Sequence, residues 1–260
     1  MRTIPVKNIT LGGGKTAICA PLAGRTAEAL RAETALAAAQ KPDMLEWRAD
    51  YFEHARDASA CEAVLRGMHE TLPDMPVLFT LRAAAEGGAC DIPREETARV
   101  YEAVCRASLT DLIDIERANP PGFLHNVMDA ARQCGVKVIL SQHNFTETPE
   151  EGAILQALRD MRALAPDLVK IAVMPRTPAD VLALLSALDA YTREEDTPAI
   201  AIAMGALGAV TRAAGGLFGS AVTYAALDGG AATAPGQLGV ADLREVMWLL
   251  VRDTMPSMRA

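Results

Sequence analysis

Lysine is scarce in this chain. Of 25 basic residues only Lys7, Lys15, Lys41, Lys137 and Lys170 are lysines, and the net charge is −8. No basic cluster of the kind that nucleic-acid binders carry is present, so no nucleic-acid partner is expected. The overall field repels anions, so an anionic ligand must be held by locally placed arginines. The five cysteines, Cys19, Cys61, Cys90, Cys105 and Cys134, form no CxxC pair and no metal-like spacing. That excludes a structural zinc and predicts a reduced, cytoplasmic protein. The first residues lack the apolar stretch of a signal peptide. Residues 197–227 carry a single charge, Arg212, but Gly205, Gly208, Gly215, Gly216 and Gly219 interrupt them. A central arginine is expensive in a bilayer, so no membrane span is expected.

Two nucleotide signatures are missing as well. Gly14-Lys15-Thr16 imitates the end of a P-loop, but Ile9 stands where the motif needs its first glycine. No GxGxxG follows the first strand-like run, which removes the dinucleotide fingerprint.

What is present is a regular alternation. Half of the 260 residues are hydrophobic, enough for a large core. Residues 1–15 read as a β-hairpin, with strands at 3–6 and 9–11. Strand-like runs follow at 17–20, 44–49, 77–82, 112–116, 136–141, 168–174, 199–204 and 221–224, with amphipathic helices between them. At 150–165, Ile154, Leu155, Leu158, Met161 and Leu164 share one face, and Thr148-Pro149-Glu150-Glu151 supplies a capping box. Thr177-Pro178-Ala179-Asp180 opens the next helix in the same way, with Val181, Leu184, Leu185 and Leu188 inward. The last helix, 240–253, is expected to bury Leu243, Val246, Met247, Leu250 and Val251. Eight such units predict parallel strands with right-handed crossovers. The fold class is α/β, a single (β/α)8 TIM barrel spanning 1–260 as one domain with an N-terminal β-hairpin.

The polar residues on these strands point to chemistry. Lys170 lies in the apolar run Asp167-Leu168-Val169-Lys170-Ile171-Ala172-Val173-Met174-Pro175. A lysine there either snorkels to water, pairs with a carboxylate, or serves as a desolvated amine that forms a Schiff base with a carbonyl. Strand parity puts Glu46 with Arg48, and Thr80 with Arg82, on the barrel interior. Asp114 and Glu116 are also interior and are assigned to structural ion pairs. His143 falls at a strand end, where a barrel keeps its active site, whereas His54, His69 and His125 read as surface or packing residues. Glu86-Gly87-Gly88, Arg212 and the 229–237 segment lie on the loops above.

Leu45-Glu46-Trp47-Arg48, Phe79-Thr80-Leu81-Arg82, Glu86-Gly87-Gly88, Ser141-Gln142-His143-Asn144-Phe145, Lys170-Ile171-Ala172-Val173-Met174-Pro175, Phe218-Gly219-Ser220 and Ala234-Pro235-Gly236-Gln237 follow one another across nearly the whole chain. In that order and spacing the sequence resembles the type I 3-dehydroquinate dehydratases of the shikimate pathway. The resemblance implies an imine between Lys170 and the C3 ketone of 3-dehydroquinate. It makes His143 the acid–base group and Glu86 its orienting carboxylate. It makes Arg212 the carboxylate anchor and gives Glu46, Arg48, Arg82, Thr233 and Gln237 to substrate binding. It also implies a homodimer with no metal and no cofactor. Thr233 and Pro21 stand where members of the family often carry serine. A Schiff-base aldolase on the same barrel and a non-catalytic sugar-acid binding barrel are the alternatives. Dehydroquinate turnover would separate the first from a dehydratase, and binding without turnover would mark the second.

Overall fold

Short runs rich in valine, isoleucine, leucine and alanine can bury both faces only in a sheet covered on both sides. The computed structural model, which describes residues 2–229 and 236–252, shows how this is done. Eight parallel strands form one sheet: β3 (Ala17–Leu22), β4 (Met44–Arg48), β5 (Val77–Thr80), β6 (Leu112–Glu116), β7 (Lys137–Asn144), β8 (Leu168–Val173), β9 (Ala199–Ala203) and β10 (Val222–Tyr224). From β3 to β9 each strand pairs with its neighbour in sequence, and β10 returns to pair with β3. Between β9 and β10 the seam is a single parallel bridge, Ala199 to Ser220, so the barrel is nearly closed. The helices are α1 (Ala27–Gln40), α2 (Ala58–Thr71), α3 (Arg94–Arg106), α4 (Pro121–Gln133), α5 (Glu151–Ala163), α6 (Pro178–Glu194), α7 (Gly205–Ala214) and α8 (Val240–Val251).

Alternation along the strands sorts the core into two layers. Leu45, Trp47, Phe79, Ile113, Ile115, Val169, Ile171 and Val173 face outward into one cluster with the helices. Cys19, Met44, Leu78, Leu112, Ile139, Leu168 and Ile200 face inward into a second. The antiparallel hairpin β1 (Ile4–Val6) and β2 (Ile9–Leu11) floors this interior layer, adding Ile4, Val6 and Leu11 to it. The expected hairpin and eight-strand barrel are therefore both present, with strand ends shifted by up to a few residues.

Three local expectations are corrected. Helix α5 begins at Glu151 with Glu150 as N-cap and no side-chain cap bond, not with a Thr148 capping box. The reason is that β7 runs on to Asn144, whose Oδ1 accepts from the Thr146 and Glu147 amides. The Glu147 carbonyl then accepts from the Met174 amide, so the connection is tied down as far as the residue before Thr148. Leu164, expected inward, is 45% exposed because the helix has ended and Ala165 turns back at φ 56°. Helix α8 fully buries only Val240 and Leu243, while Val246 and Leu250 are exposed. By contrast, the capping box Thr177–Asp180 of α6 forms as expected, and Val181, Leu184, Leu185 and Leu188 are buried.

Candidate active site

The C-terminal ends of the strands surround a cleft of about 490 Å³ that opens to solvent. Its lining includes Glu46, Arg48, Arg82, Glu86, His143, Lys170, Arg212 and Gln237. Eight of the nine residues singled out from the sequence therefore meet at one place. Thr233, with most of the 229–237 segment, lies outside the described residues.

Lys170 does not snorkel. It is 4% exposed and its Nζ donates to Asp114 Oδ2 at 2.9 Å and to Tyr224 Oη at 3.0 Å. Glu46 Oε1 stands at 3.7 Å from Nζ and accepts from Thr80 Oγ1 at 3.0 Å. Asp114, expected to serve a purely structural ion pair, is in fact shared. Its Oδ1 meets Arg82 Nη2 at 2.9 Å and accepts from Ser141 Oγ at 2.5 Å, while Oδ2 takes the lysine. Burial alone would raise the Asp114 pKa. Arg82 and Lys170 outweigh it and hold the carboxyl well below the usual carboxylate range. Glu116 keeps the structural role, accepting from Arg82 Nη1 at 2.8 Å and from Asn119.

On the adjacent strand, β7, His143 pairs in register with Ala172 of β8, one pleat above Ser141 and Lys170. Glu86 Oε2 accepts from the His143 backbone amide and from ring Nδ1, both at 2.9 Å. With Nδ1 engaged, Nε2 carries the lone pair. Burial, then Arg82 and Lys170, push the imidazole pKa well below its ordinary value, so the ring is neutral and fit to act as a base. Burial, then Glu116, raises Glu86 to about 7.

Glu86 rides on a loop held by close backbone contacts. Gly87 turns at φ 82° against the Phe145 ring, and a Cβ on Gly88 would fall 1.9 Å from the Arg82 carbonyl oxygen. A side chain at Gly88 would have to move the loop backbone, and one at Gly87, in its left-handed turn, would displace the Phe145 ring. Asp50, not singled out from the sequence, clamps the same region. Its two oxygens accept from Arg48 Nε and Nη2, each at 2.8 Å, and from the backbone amides of Arg82 and Ala89.

Arg212, on α7, is 2% exposed and its Nη1 donates to the Tyr224 carbonyl at 3.3 Å. Burial pushes its guanidinium down to about 10. Tyr224, Phe145, Met204, Ala172 and Ile202 complete the lining and were also missed. Tyr224 had a usable signal, the same strand-end parity that marks Lys170 and His143. His54 and His125 are exposed, and His69 bonds the Leu109 carbonyl away from the cleft.

A buried lysine and a carboxylate-braced histidine on neighbouring strand ends of a (β/α)8 barrel define the class, an enzyme equipped for amine and acid–base chemistry at a carbonyl compound. A family model described as type I 3-dehydroquinase matches residues 18–253, and the chain belongs to that family, a family of hydro-lyases. Among its relatives, the 3-dehydroquinate dehydratase of Geobacillus thermodenitrificans is 40% identical over 250 residues, covering 96% of each chain. That of Klebsiella pneumoniae is 42% identical over 248 residues, covering 95% of this chain and 98% of the relative. The crystal structure of 3-dehydroquinate dehydratase from Geobacillus kaustophilus superposes with a TM-score of 0.92 at 37% identity, covering 100% of this chain and 98% of that one. The type I 3-dehydroquinate dehydratase from Clostridium difficile with covalent modified comenic acid gives 0.92 at 36% identity, covering 97% and 98%. Among the described residues no helix is long and apolar enough to cross a membrane.

Proposed function

We propose that this chain converts 3-dehydroquinate to 3-dehydroshikimate through an imine on Lys170. A ketone alone leaves its α-proton too weakly acidic for a histidine. Once Lys170 has condensed with the C3 ketone, the iminium is an electron sink, and loss of a C2 proton gives a neutral enamine. His143 Nε2 removes that proton. The resulting imidazolium returns it to the C1 hydroxyl, which leaves as water while the enamine electrons form the new C=C bond. Hydrolysis of the conjugated iminium frees the enone and the lysine. Glu86 fixes the imidazole tautomer throughout. Arg212 takes the substrate carboxylate, its planar fork matching two parallel hydrogen bonds. Glu46, Arg48, Arg82, Gln237 and Thr233 hold the remaining oxygens. Arg48 and Arg82 do so from fixed positions, because Asp50, Asp114 and Glu116 already orient their guanidinium groups.

The observation that carries this reading is the pairing of a fully enclosed Lys170 with a neutral, Glu86-braced His143 on the next strand. The test is addition of dehydroquinate while following the ultraviolet absorbance of the conjugated enone, with borohydride in a parallel sample. Enone formation and a reduced adduct on the peptide containing Lys170 are expected. An adduct at Lys137, or turnover with no adduct, would remove Lys170 from this role.

We also propose a cytoplasmic homodimer. Helices α7 and α8 pack on each other and leave Val210, Val246, Trp248, Leu249 and Leu250 exposed, an apolar surface suited to a second copy.

A further inference from the structure

Three carboxylate or phenol oxygens approach Lys170 Nζ, and one of them belongs to a group that both holds and accepts a proton. Asp114 Oδ2, at 2.9 Å, belongs to a carboxyl that Arg82 and Lys170, against the effect of burial, hold well below the usual range. It has no proton to give and takes one poorly. Glu46 Oε1 stands beyond hydrogen-bond distance at 3.7 Å. His143 has its Nδ1 on Glu86 and its Nε2 assigned to the C2 proton and the C1 hydroxyl, and no hydrogen bond joins the imidazole to Nζ. Tyr224 Oη lies at 3.0 Å from Nζ, with the ring centroid at 4.7 Å. Tyr224 is 4% exposed and lines the cleft. Burial, then Glu46 and Cys19, raise its pKa well above the ordinary phenol value, so the hydroxyl stays protonated until a stronger base forms beside it.

We propose that Tyr224 is a further catalytic residue, a proton relay between Lys170 Nζ and the ketone oxygen during formation and hydrolysis of the imine. This rests on the imine proposed above. Among the described residues, Tyr224 is the proton-bearing side chain hydrogen-bonded directly to Nζ. In the first step Tyr224 takes one proton from the Lys170 ammonium. The freed lone pair forms the N–C bond, the carbonyl π pair moves onto oxygen, and the phenol proton goes to that oxygen. In the second step Tyr224 takes another proton from nitrogen and gives its own to the carbinol hydroxyl. That group leaves as water as the nitrogen lone pair closes the C=N bond. Nζ starts with three protons and keeps one, two leave in the water, and the phenol ends unchanged. The charge stays at +1, and no outside acid is consumed. Hydrolysis runs the same steps in reverse.

Tyr224→Phe keeps the ring beneath Nζ and removes only the oxygen, so packing is conserved. Rapid-quench borohydride trapping with dehydroquinate measures the rate of imine formation directly. The variant should form the Lys170 adduct about 10²-fold more slowly than the wild type, the usual effect of losing a positioned acid–base group. With imine steps then limiting, the kinetic isotope effect of C2-deuterated dehydroquinate on kcat should fall to unity. A phenol that merely fills space would change neither. Adducts forming at equal rates in wild type and variant would overturn the relay alone. No adduct in the wild type would overturn the imine reading, and the relay with it.

Discussion

At the scale of single residues, the site works by pushing neighbouring ionisable groups in opposite directions. Glu86 is raised to about 7 from 4.5, chiefly by burial, so its ionised form costs stability in the fold. Its contribution is present below about pH 4.5 and is lost as pH rises through about 7. His143 is pushed below 6.5, chiefly by burial and then by Arg82 and Lys170. It stays neutral while the unfolded chain binds the proton, so its contribution is present above pH 6.5 and is lost as pH falls. The two slopes oppose each other in between. Glu86→Gln should remove the first and leave the second. Its stability should then rise with pH more steeply than that of the wild type, by at most about 1.4 kcal/mol per pH unit. Urea midpoints between about pH 5 and pH 7 check this. Identical slopes in the two proteins would show that Glu86 titrates as an ordinary carboxyl.

The elements matter here mainly through their ends. Strand β4 stops at Arg48 and β5 stops at Thr80, and Asp50 ties the two strand ends to the loop between them and α3. One carboxylate accepts from Arg48 on one side and from the Arg82 and Ala89 amides, at either end of the Glu86 loop, on the other. Burial would push the Arg48 guanidinium down, but Asp50 outweighs it and holds it above its ordinary value. Asp50→Asn has one acceptor oxygen where the fork and two amides need two. It should raise KM through Arg48 and lower kcat through the Glu86 loop, with kcat/KM falling roughly 10²-fold. Asp57→Ala is the control. Asp57 caps α2 from the surface, so its loss should cost on the order of 1 kcal/mol of stability and leave kinetics unchanged. Steady-state kinetics that do not separate the two variants would reduce Asp50 to a stabilising residue. The hairpin β1–β2 makes the opposite case, an element that serves the fold alone. Leu11 is fully buried against the barrel floor. Leu11→Ala should lower unfolding free energy by about 2–5 kcal/mol while kcat/KM at low temperature stays at the wild-type value. A kinetic defect of the same size as that of Asp50→Asn would show that the floor positions the charged layer above it.

For the whole molecule, the proposed dimer gives a direct test. Trp248, 55% exposed on α8, belongs to the apolar surface shared with α7. Trp248→Glu places a charge there and should turn a dimer into a monomer in sedimentation experiments. The cleft residues Lys170, His143 and Glu86 sit on strands β8 and β7 and the β5–α3 loop, away from α8, so kcat should persist. An unchanged sedimentation coefficient would move the interface elsewhere. The same surface marks where local pattern stopped being informative. The 3.6-residue repeat placed Val246 and Leu250 on the inward face of the last helix, but periodicity shows that a helix has an apolar face and not what covers it. Likewise, Thr148 had the sequence of a cap and lost the position because β7 continued further than its composition suggested. The barrel itself, its hairpin, and the interior parity of Glu46, Arg48, Arg82 and Lys170 were determined by the sequence alone, since alternation along a strand and repetition of strand and helix are local properties. The meeting of His143 with Glu86, and of Lys170 with Asp114 and Tyr224, was decided only by the tertiary structure. Those partners are 57, 56 and 54 residues apart in the chain. Parity says which face a side chain takes. Only strand register and barrel closure bring one oxygen rather than another within 3 Å of a given nitrogen.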